Sequence, residues 1–218
     1  MAFEEGVRGL AVTVRFHRPL IGLLLAVLLL AQIDQPYPQV ALLQHLPTMV
    51  LIVASPWLLR RWPISTAALA SIVVFLMLHT LGGRYTYSNV PYDAWATALT
   101  GASVSDTMGW TRNHYDRLVH LAFGLLALLP VAELARRGGL GVRGALLTGL
   151  TFVLAISSLY EIFEWLLTIV VAGEMADHYN GQQGDIWDAQ KDMALAMLGA
   201  LFVIPWLRVR LSAGTKAE

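Results

Sequence analysis

Six apolar runs constrain the fold of this chain more than any other feature of its sequence. They cover residues 19–33, 40–59, 64–81, 116–134, 146–171 and 186–207. A helix needs about 20 mainly apolar residues to cross a bilayer, so these runs predict membrane-spanning helices. Hydrophobic residues make up 56% of the chain and charged residues only 14%, which excludes an ordinary soluble domain. The sequence therefore predicts an all-α, polytopic membrane protein with a bundle of six transmembrane helices.

The basic residues indicate how these helices are oriented. Most arginines lie before the first run, after the second, between the fourth and the fifth, and after the sixth. Alternation of the spans places these four segments on one side of the membrane. Because cytoplasmic loops carry an excess of lysine and arginine, we expect both termini to be cytoplasmic.

The connections predict one integral membrane domain over residues 1–218. The longest polar connection, residues 84–115, is a predicted outer loop, in which residues 91–99 suit a short interfacial helix that stops at Gly101. Residues 212–218 form a predicted flexible tail. Gly199 and Ala200 are small, which predicts a close contact between the last helix and a neighbour. The chain has no cysteine, so disulfides and thiolate metal sites are excluded.

Two carboxylic acids, Glu161 and Glu164, interrupt the fifth apolar run. A charged side chain at the centre of a membrane helix costs about 2.5–3.5 kcal/mol on insertion scales. Two acids three residues apart also share a helical face and repel each other. The pair therefore requires a proton or a cation nearby.

The fourth and sixth predicted helices begin with further ionisable groups at the same depth. These groups are Asp116, Arg117 and His120 in the fourth helix, and Asp185, Asp188, Lys191 and Asp192 at the start of the sixth. Asp116 and His120 are four residues apart, and the three aspartates at 185, 188 and 192 follow a three-then-four spacing, so each of these sets is predicted to line one helical face. We therefore expect acids and an imidazole from three helices to converge in one pocket near the non-cytoplasmic surface.

Three interpretations fit such a pocket. The first is a site for a divalent ion, with zinc, manganese, iron or magnesium suited to oxygen and imidazole ligands. The second is a proton or ion pathway, because such pathways are often built from acids and histidines inside the membrane. The third is a polar core in which Arg117 and Lys191 neutralise some of the acids. The acids outnumber these two bases, which disfavours the third interpretation. No specific catalytic motif, such as His-Glu-x-x-His, supports the first.

Under the first interpretation, the ionisable residues divide into three roles. The predicted metal ligands are His120, Glu161 and Asp188, with Asp116 and Asp185 as further ligands. The predicted general base is Glu164 or Asp192, and Arg117 and Lys191 are predicted to hold an anionic group of the substrate, such as a phosphate.

Three stretches of the chain resemble a known family. Residues 113–120 (NHYDRLVH), 157–165 (SSLYEIFEW) and 183–192 (QGDIWDAQKD) resemble the YjdF-like family of bacterial inner-membrane proteins, over roughly residues 79–205. They are more distantly similar to the VanZ-like family, whose helices carry Asp-Lys-x-x-His, Glu-x-x-Gln and Asp-x-x-Asp-x-x-x-Asn. Here Arg117 replaces the lysine, while Glu164 and Asp192 replace the amides. The resemblance implies a multi-pass protein of the bacterial plasma (inner) membrane.

The VanZ-like group is linked to reduced sensitivity to glycopeptide antibiotics with a lipid-like portion, which implies work at the outer face of the cell envelope. We therefore expect a metal-dependent hydrolase or transferase that acts on a lipid-linked or amphiphilic envelope molecule. A proton- or ion-coupled transporter and a noncatalytic binder of envelope amphiphiles are the alternatives. The inner halves of the last three helices hold few polar residues besides Glu133, which favours a one-sided pocket over a transport route. The expected partners are the lipid bilayer and an amphiphile, and no nucleic acid is expected.

Overall fold

The computed structural model describes residues 16–170 and 182–213, and the regular secondary structure in these ranges is entirely helical. The helices in chain order are α1 (His17–Leu30), α2 (Pro38–Arg61), α3 (Thr66–Arg84), α4 (Tyr92–Thr100), α5 (Val104–Met108), α6 (Tyr115–Arg137), α7 (Val142–Val170) and α8 (Asp188–Ala213). Five of them, namely α2, α3, α6, α7 and α8, are long and apolar enough to cross a membrane. The predicted all-α, multi-pass architecture is confirmed.

The first predicted span is a shorter helix than the other five. The 14 residues of α1 extend for about 21 Å at 1.5 Å per residue. The hydrocarbon core of a bilayer is about 30 Å thick, so α1 does not span it by length alone. The six-helix count and the cytoplasmic location of both termini therefore stay predictions.

The long connection between α3 and α6 is folded. The predicted interfacial helix at residues 91–99 is α4, and it ends at Gly101 in the left-handed conformation (φ 80°), as expected. Asp93 of α4 accepts hydrogen bonds from the Ser105 amide at 2.8 Å and the Ser105 hydroxyl at 2.6 Å. These bonds hold the pKa of Asp93 below its usual value and fix α5 against α4.

Two predicted connections fall partly outside the described residues. The last helix continues through Ser212 and Ala213, so the predicted tail at 212–218 begins inside α8, and its remaining residues lie outside the described part. Most of the connection between α7 and α8, residues 171–181, also lies outside it.

The core of the bundle is built around α6, which packs against α3, α7 and α8. Two glycines let α6 and α8 approach closely. A Cβ atom on Gly124 would lie 1.9 Å from the Ala196 carbonyl oxygen, and one on Gly199 would lie 2.3 Å from the Leu121 carbonyl oxygen. The close contact predicted from Gly199 is therefore confirmed. It brings the first turns of α6 and α8 together, which positions the site described below.

A buried carboxylate ties α6 to the beginning of α3. Glu133 is 2% exposed and accepts hydrogen bonds from the Ser65 amide at 2.9 Å and the Ser65 hydroxyl at 2.6 Å. A guanidinium nitrogen of Arg210 lies 3.9 Å from the same carboxylate. We call Ser65, Glu133 and Arg210 the Glu133 cluster. It marks the end of the bundle where α6 and α8 finish.

Candidate functional site

Asp116, His120 and Asp192 come together at the opposite end of the bundle, where α6 and α8 begin. One potential ligand atom from each residue lies within 4.8 Å of the other two. All three side chains are buried, with Asp192 only 2% exposed. Asp116 and His120 are one turn apart on α6, with 3.7 Å between Oδ1 and Nε2. Asp192 belongs to α8, so the close contact of the two helices assembles the group. We call these residues the Asp-His-Asp triad.

Helix α7 adds two more acids at the border of the triad. Glu161 Oε1 lies 3.5 Å from His120 Nε2, although the alignment of the two groups does not make a hydrogen bond. Glu164 lies one turn further along α7 and is buried as well. The Tyr160 ring packs edge-on against the His120 ring, with 5.8 Å between the centroids. Both glutamates predicted from the sequence are therefore buried on the side of α7 that faces His120.

The acids of this inner group lie around His120. Its Nε2 atom is 3.7 Å from Asp116 and 3.5 Å from Glu161, whereas Arg117 and Lys191 pair with the aspartates at the start of α8. The buried Oδ1 atom of Asp192 accepts no hydrogen bond within residues 16–170 and 182–213. A buried polar atom without a partner costs about 1–3 kcal/mol, and more when charged. The arrangement therefore calls for protons or a bound cation.

The other two aspartates near the start of α8 are held by basic side chains. Asp188 pairs with Arg112 at 2.5 Å and with Arg117 at 3.4 Å. Asp185 pairs with Arg117 and, at 2.6 Å, with Lys191. We call these five residues the arginine network. It differs from the expectation that all three aspartates share one face, because α8 begins only at Asp188 and the chain before it turns towards Arg112.

The arginine network bears on several predicted roles. Asp185 and Asp188 as metal ligands, and Arg117 and Lys191 as anion binders, stay predictions, but each of these side chains already has a partner of opposite charge. The hydrogen bond from Lys191 lowers the pKa of Asp185 to about 2, with the Trp187 amide and Arg117 acting in the same direction. Sequence reasoning missed Arg112, and the excess of acids over bases was the signal that another base was needed.

Two further buried histidines are satisfied by the fold. His79 Nε2 donates to the Gln44 carbonyl at 2.9 Å, and His45 Nε2 donates to the Thr80 carbonyl at 3.1 Å. The other ring nitrogen of His45 accepts a hydrogen bond from Gln32 at 2.8 Å. These contacts tie α2 to α3 and to the end of α1.

The donor set of the triad fits a divalent ion. Two carboxylates and one imidazole are typical ligands of zinc, manganese and iron. Two ligand atoms that each lie about 2.1 Å from one ion are at most about 4.2 Å apart. The present separations of up to 4.8 Å therefore close onto an ion with side-chain movements of less than an ångström. His120 and Asp116 of this group were predicted as ligands. Its third member, Asp192, was predicted as a general base.

A cavity of about 220 Å³ adjoins the triad between α2, α3, α6 and α7. Asp116, His120 and Ser157 line it together with His79, and the remaining lining is apolar or aromatic. The triad therefore borders a mainly apolar cavity.

Comparison with known proteins places the chain among membrane proteins. The family described as "Predicted membrane protein (DUF2238)" matches residues 16–213. The inner membrane protein YjdF of Escherichia coli (strain K12) is 36% identical over 151 residues, which cover 68% of this chain and 68% of that protein. No solved structure matches the chain. The family match extends over all eight described helices, so it includes both the triad and the arginine network.

Proposed function

The chain belongs to the family described as "Predicted membrane protein (DUF2238)" and is a multi-pass inner-membrane protein, and we propose that it is a divalent-metal-dependent hydrolase or transferase of an envelope amphiphile. The resemblance to YjdF-like proteins is confirmed, whereas the similarity to the VanZ-like family stays a prediction. The observation that carries the proposal is the Asp-His-Asp triad, in which the buried Oδ1 atom of Asp192 has no hydrogen-bond partner in the described chain.

The proposal includes six spans with both termini in the cytoplasm. Arg136, Arg137 and Arg210 lie at the end of the bundle that holds Glu133, which supports a cytoplasmic location for that end. The triad then opens towards the extracytoplasmic side. In this topology α1 crosses the membrane together with flanking residues, although its described helix is short.

The residues of the site would divide the chemistry as follows. Asp116, His120 and Asp192 would hold the ion, which when bound polarises a substrate oxygen and lowers the pKa of a water molecule. Glu161, 3.5 Å from His120 Nε2, would be a further ligand of the ion. Glu164, buried one turn further along α7, would accept the proton of the attacking water. The arginine network would hold the first turn of α8 in place, and Arg117 and Lys191 at its edge would meet an anionic group of the substrate.

The interior of the bundle supports a pocket that opens on one side. Between the triad and the Glu133 cluster, the helices bury Leu128, Val153, Ala196 and Ala200 with no exposed surface. A transporter needs a polar route through this layer. The enzyme proposal needs none, because substrate and product use the same opening.

A turnover experiment tests the proposal. Purified protein is reconstituted with a total lipid extract of a bacterial inner membrane, with manganese or with a chelator, and the lipids are analysed by mass spectrometry. We expect one lipid class to be converted in a metal-dependent manner by the wild type. Glu164→Gln should lose this activity while it retains the metal. If the wild type binds a metal but converts no lipid class, the enzyme proposal is wrong and a binder is favoured. Uptake that depends on an ion gradient would favour the transporter.

A further inference from the structure

The cavity beside the triad has its rim on the surface that faces lipid. Helix α2 packs on α1 and α3, whereas α7 packs on α6 and α8, so a gap remains between α2 and α7. Pro47 and Leu51 of α2 and Ile156 of α7 line this gap and are exposed. In a bundle of membrane-spanning helices, such exposed apolar side chains contact the hydrocarbon tails of the bilayer. We call this cavity the lateral cleft.

The lining of the lateral cleft suits hydrocarbon rather than water. Phe75, Leu76, Val119 and Phe123 supply apolar walls between Pro47 and Leu51 on one side and Ile156 on the other. Cavities with apolar linings stay dry and take up apolar ligands. The volume of about 220 Å³ equals the liquid volume of about seven water molecules, which is enough for part of one alkyl chain.

The inner end of the lateral cleft presents an unused hydroxyl group. Ser157 is 2% exposed and lines the cleft, and its Oγ atom has no hydrogen-bond partner among the described residues. Hydroxyl side chains inside helices usually bond the carbonyl four residues earlier. Thr148 on the same helix does so at 2.9 Å, and Thr80 does so at 2.7 Å. Ser157 instead leaves its hydroxyl available to a ligand in the cleft, one turn before Glu161, whose Oε1 atom lies 3.5 Å from His120 Nε2.

We propose that the lateral cleft binds one hydrocarbon chain of a bilayer amphiphile, which enters sideways between α2 and α7. The oxygen-bearing polar end of the molecule then accepts a hydrogen bond from Ser157 and lies next to the Asp-His-Asp triad. This inference rests on the proposed function in one respect, because the amphiphile in the cleft is the molecule on which the triad acts. It adds the route of entry, the position of the chain and the group that recognises the polar end.

Photo-labelling in nanodiscs tests this proposal. The nanodiscs contain phosphatidylethanolamine and phosphatidylglycerol, with a phosphatidylethanolamine that carries a diazirine on one chain. We expect stronger labelling of Phe75 and Phe123 in the cleft than of Phe202, which is 79% exposed on α8. Equal labelling of the cleft and of Phe202 would overturn the proposal.

Two variants and one control locate the chain and its polar end. Ile156→Trp fills the mouth of the cleft and should lower cleft labelling by about tenfold. Leu159→Trp, three residues further along α7 and 60% exposed outside the cleft, should leave it unchanged. Ser157→Ala removes only the hydroxyl and should lower labelling by about two- to tenfold. Unchanged labelling in either Ile156→Trp or Ser157→Ala contradicts the proposal.

Metal analysis of the same samples separates this inference from the proposed function. Ile156→Trp should bind the divalent ion as the wild type does, because residue 156 is not part of the triad. Labelled cleft residues in a protein without metal would support the cleft and contradict the metal-dependent enzyme. A bound metal without cleft labelling would contradict the cleft alone.

Discussion

The Glu133 cluster and the Asp-His-Asp triad contain equally buried carboxylates that differ in their hydrogen-bond partners. Glu133 and Asp192 are each 2% exposed within membrane-spanning helices. Both oxygens of Glu133 accept hydrogen bonds from Ser65, and Arg210 lies near. One oxygen of Asp192 has no hydrogen-bond partner in the described structure, and Asp192 faces a second acid, Asp116.

The difference separates a structural carboxylate from one that is left for a ligand. Where Glu133 fastens two helices, the fold supplies donors and a positive charge for it. Beside the triad, the basic side chains of the arginine network pair with Asp185 and Asp188. The acids further inside lie next to His120 instead. Since burying unpaired acids is costly, this selective pairing indicates that an ion or protons complete the inner group.

The largest expected effect concerns Glu133→Ala. Removing the carboxylate leaves the Ser65 amide and hydroxyl without their acceptor, so we expect the free energy of unfolding to fall by about 3–5 kcal/mol. Asp192→Asn should leave the stability of the metal-free protein unchanged or higher, because it removes a repelling charge. Denaturation in detergent, followed by circular dichroism, measures both variants. If Asp192→Asn destabilises the metal-free protein as much as Glu133→Ala does, both carboxylates are structural and the contrast fails.

A smaller effect is expected when α6 and α8 are forced apart. Gly124→Ala places a methyl group where the Ala196 carbonyl lies, which should cost about 1–3 kcal/mol through overpacking. Because the triad spans the same two helices, metal affinity should fall as well. Gly144→Ala is the matched control on α7, since its added Cβ meets Leu140 at an ordinary 3.6 Å. Thermal unfolding and metal titration of both variants check this prediction. Equal metal affinity in Gly124→Ala and Gly144→Ala would show that the triad does not depend on this contact.

The smallest effect concerns the exposed edge of the arginine network. Lys191 is 49% exposed, so Lys191→Ala should lower the melting temperature by at most about 3 °C. The pKa of Asp185 is about 2 in the fold, below its usual 3.8, so its contribution to stability is complete above pH 3.8 and is lost as the pH falls through about 2. The difference between wild type and variant should follow the same course. Melting curves between neutral pH and pH 2 measure it, and a difference that grows towards acid pH would contradict the assignment.

Local patterns were enough to predict much of the fold. Long apolar runs gave five of the helices, and the four-residue spacing of Asp116 and His120 correctly placed both side chains on one buried face. The short length of α1 was not visible, because apolar residues continue past its last turn at Leu30. The second short helix of the long connection, α5, was not predicted, whereas the first, α4, was.

The partners of the acids were not predictable in the same way. Arg112 and Asp188 are 76 residues apart in the chain, and Ser65 and Glu133 are 68 apart. Such pairs depend on how helices meet, which residue spacing within one helix does not reveal. The three aspartates at 185, 188 and 192 fit one helical face by spacing. The start of α8 at Asp188 leaves Asp185 in the preceding turn, and Arg112 and Arg117 reach Asp188 in the first turn of the helix, whereas Asp192, one turn further, joins the triad.

Calorimetric titration of the purified, metal-stripped protein with manganese and zinc tests the central claim most directly. We expect one divalent ion to bind per chain, with release of protons from the ligands. Asp192→Asn and His120→Ala should abolish this binding, whereas Glu133→Gln, which alters an equally buried carboxylate at the other end of the bundle, should retain it. A wild-type protein that binds no divalent ion, or an Asp192→Asn variant that binds as tightly as the wild type, would contradict the account.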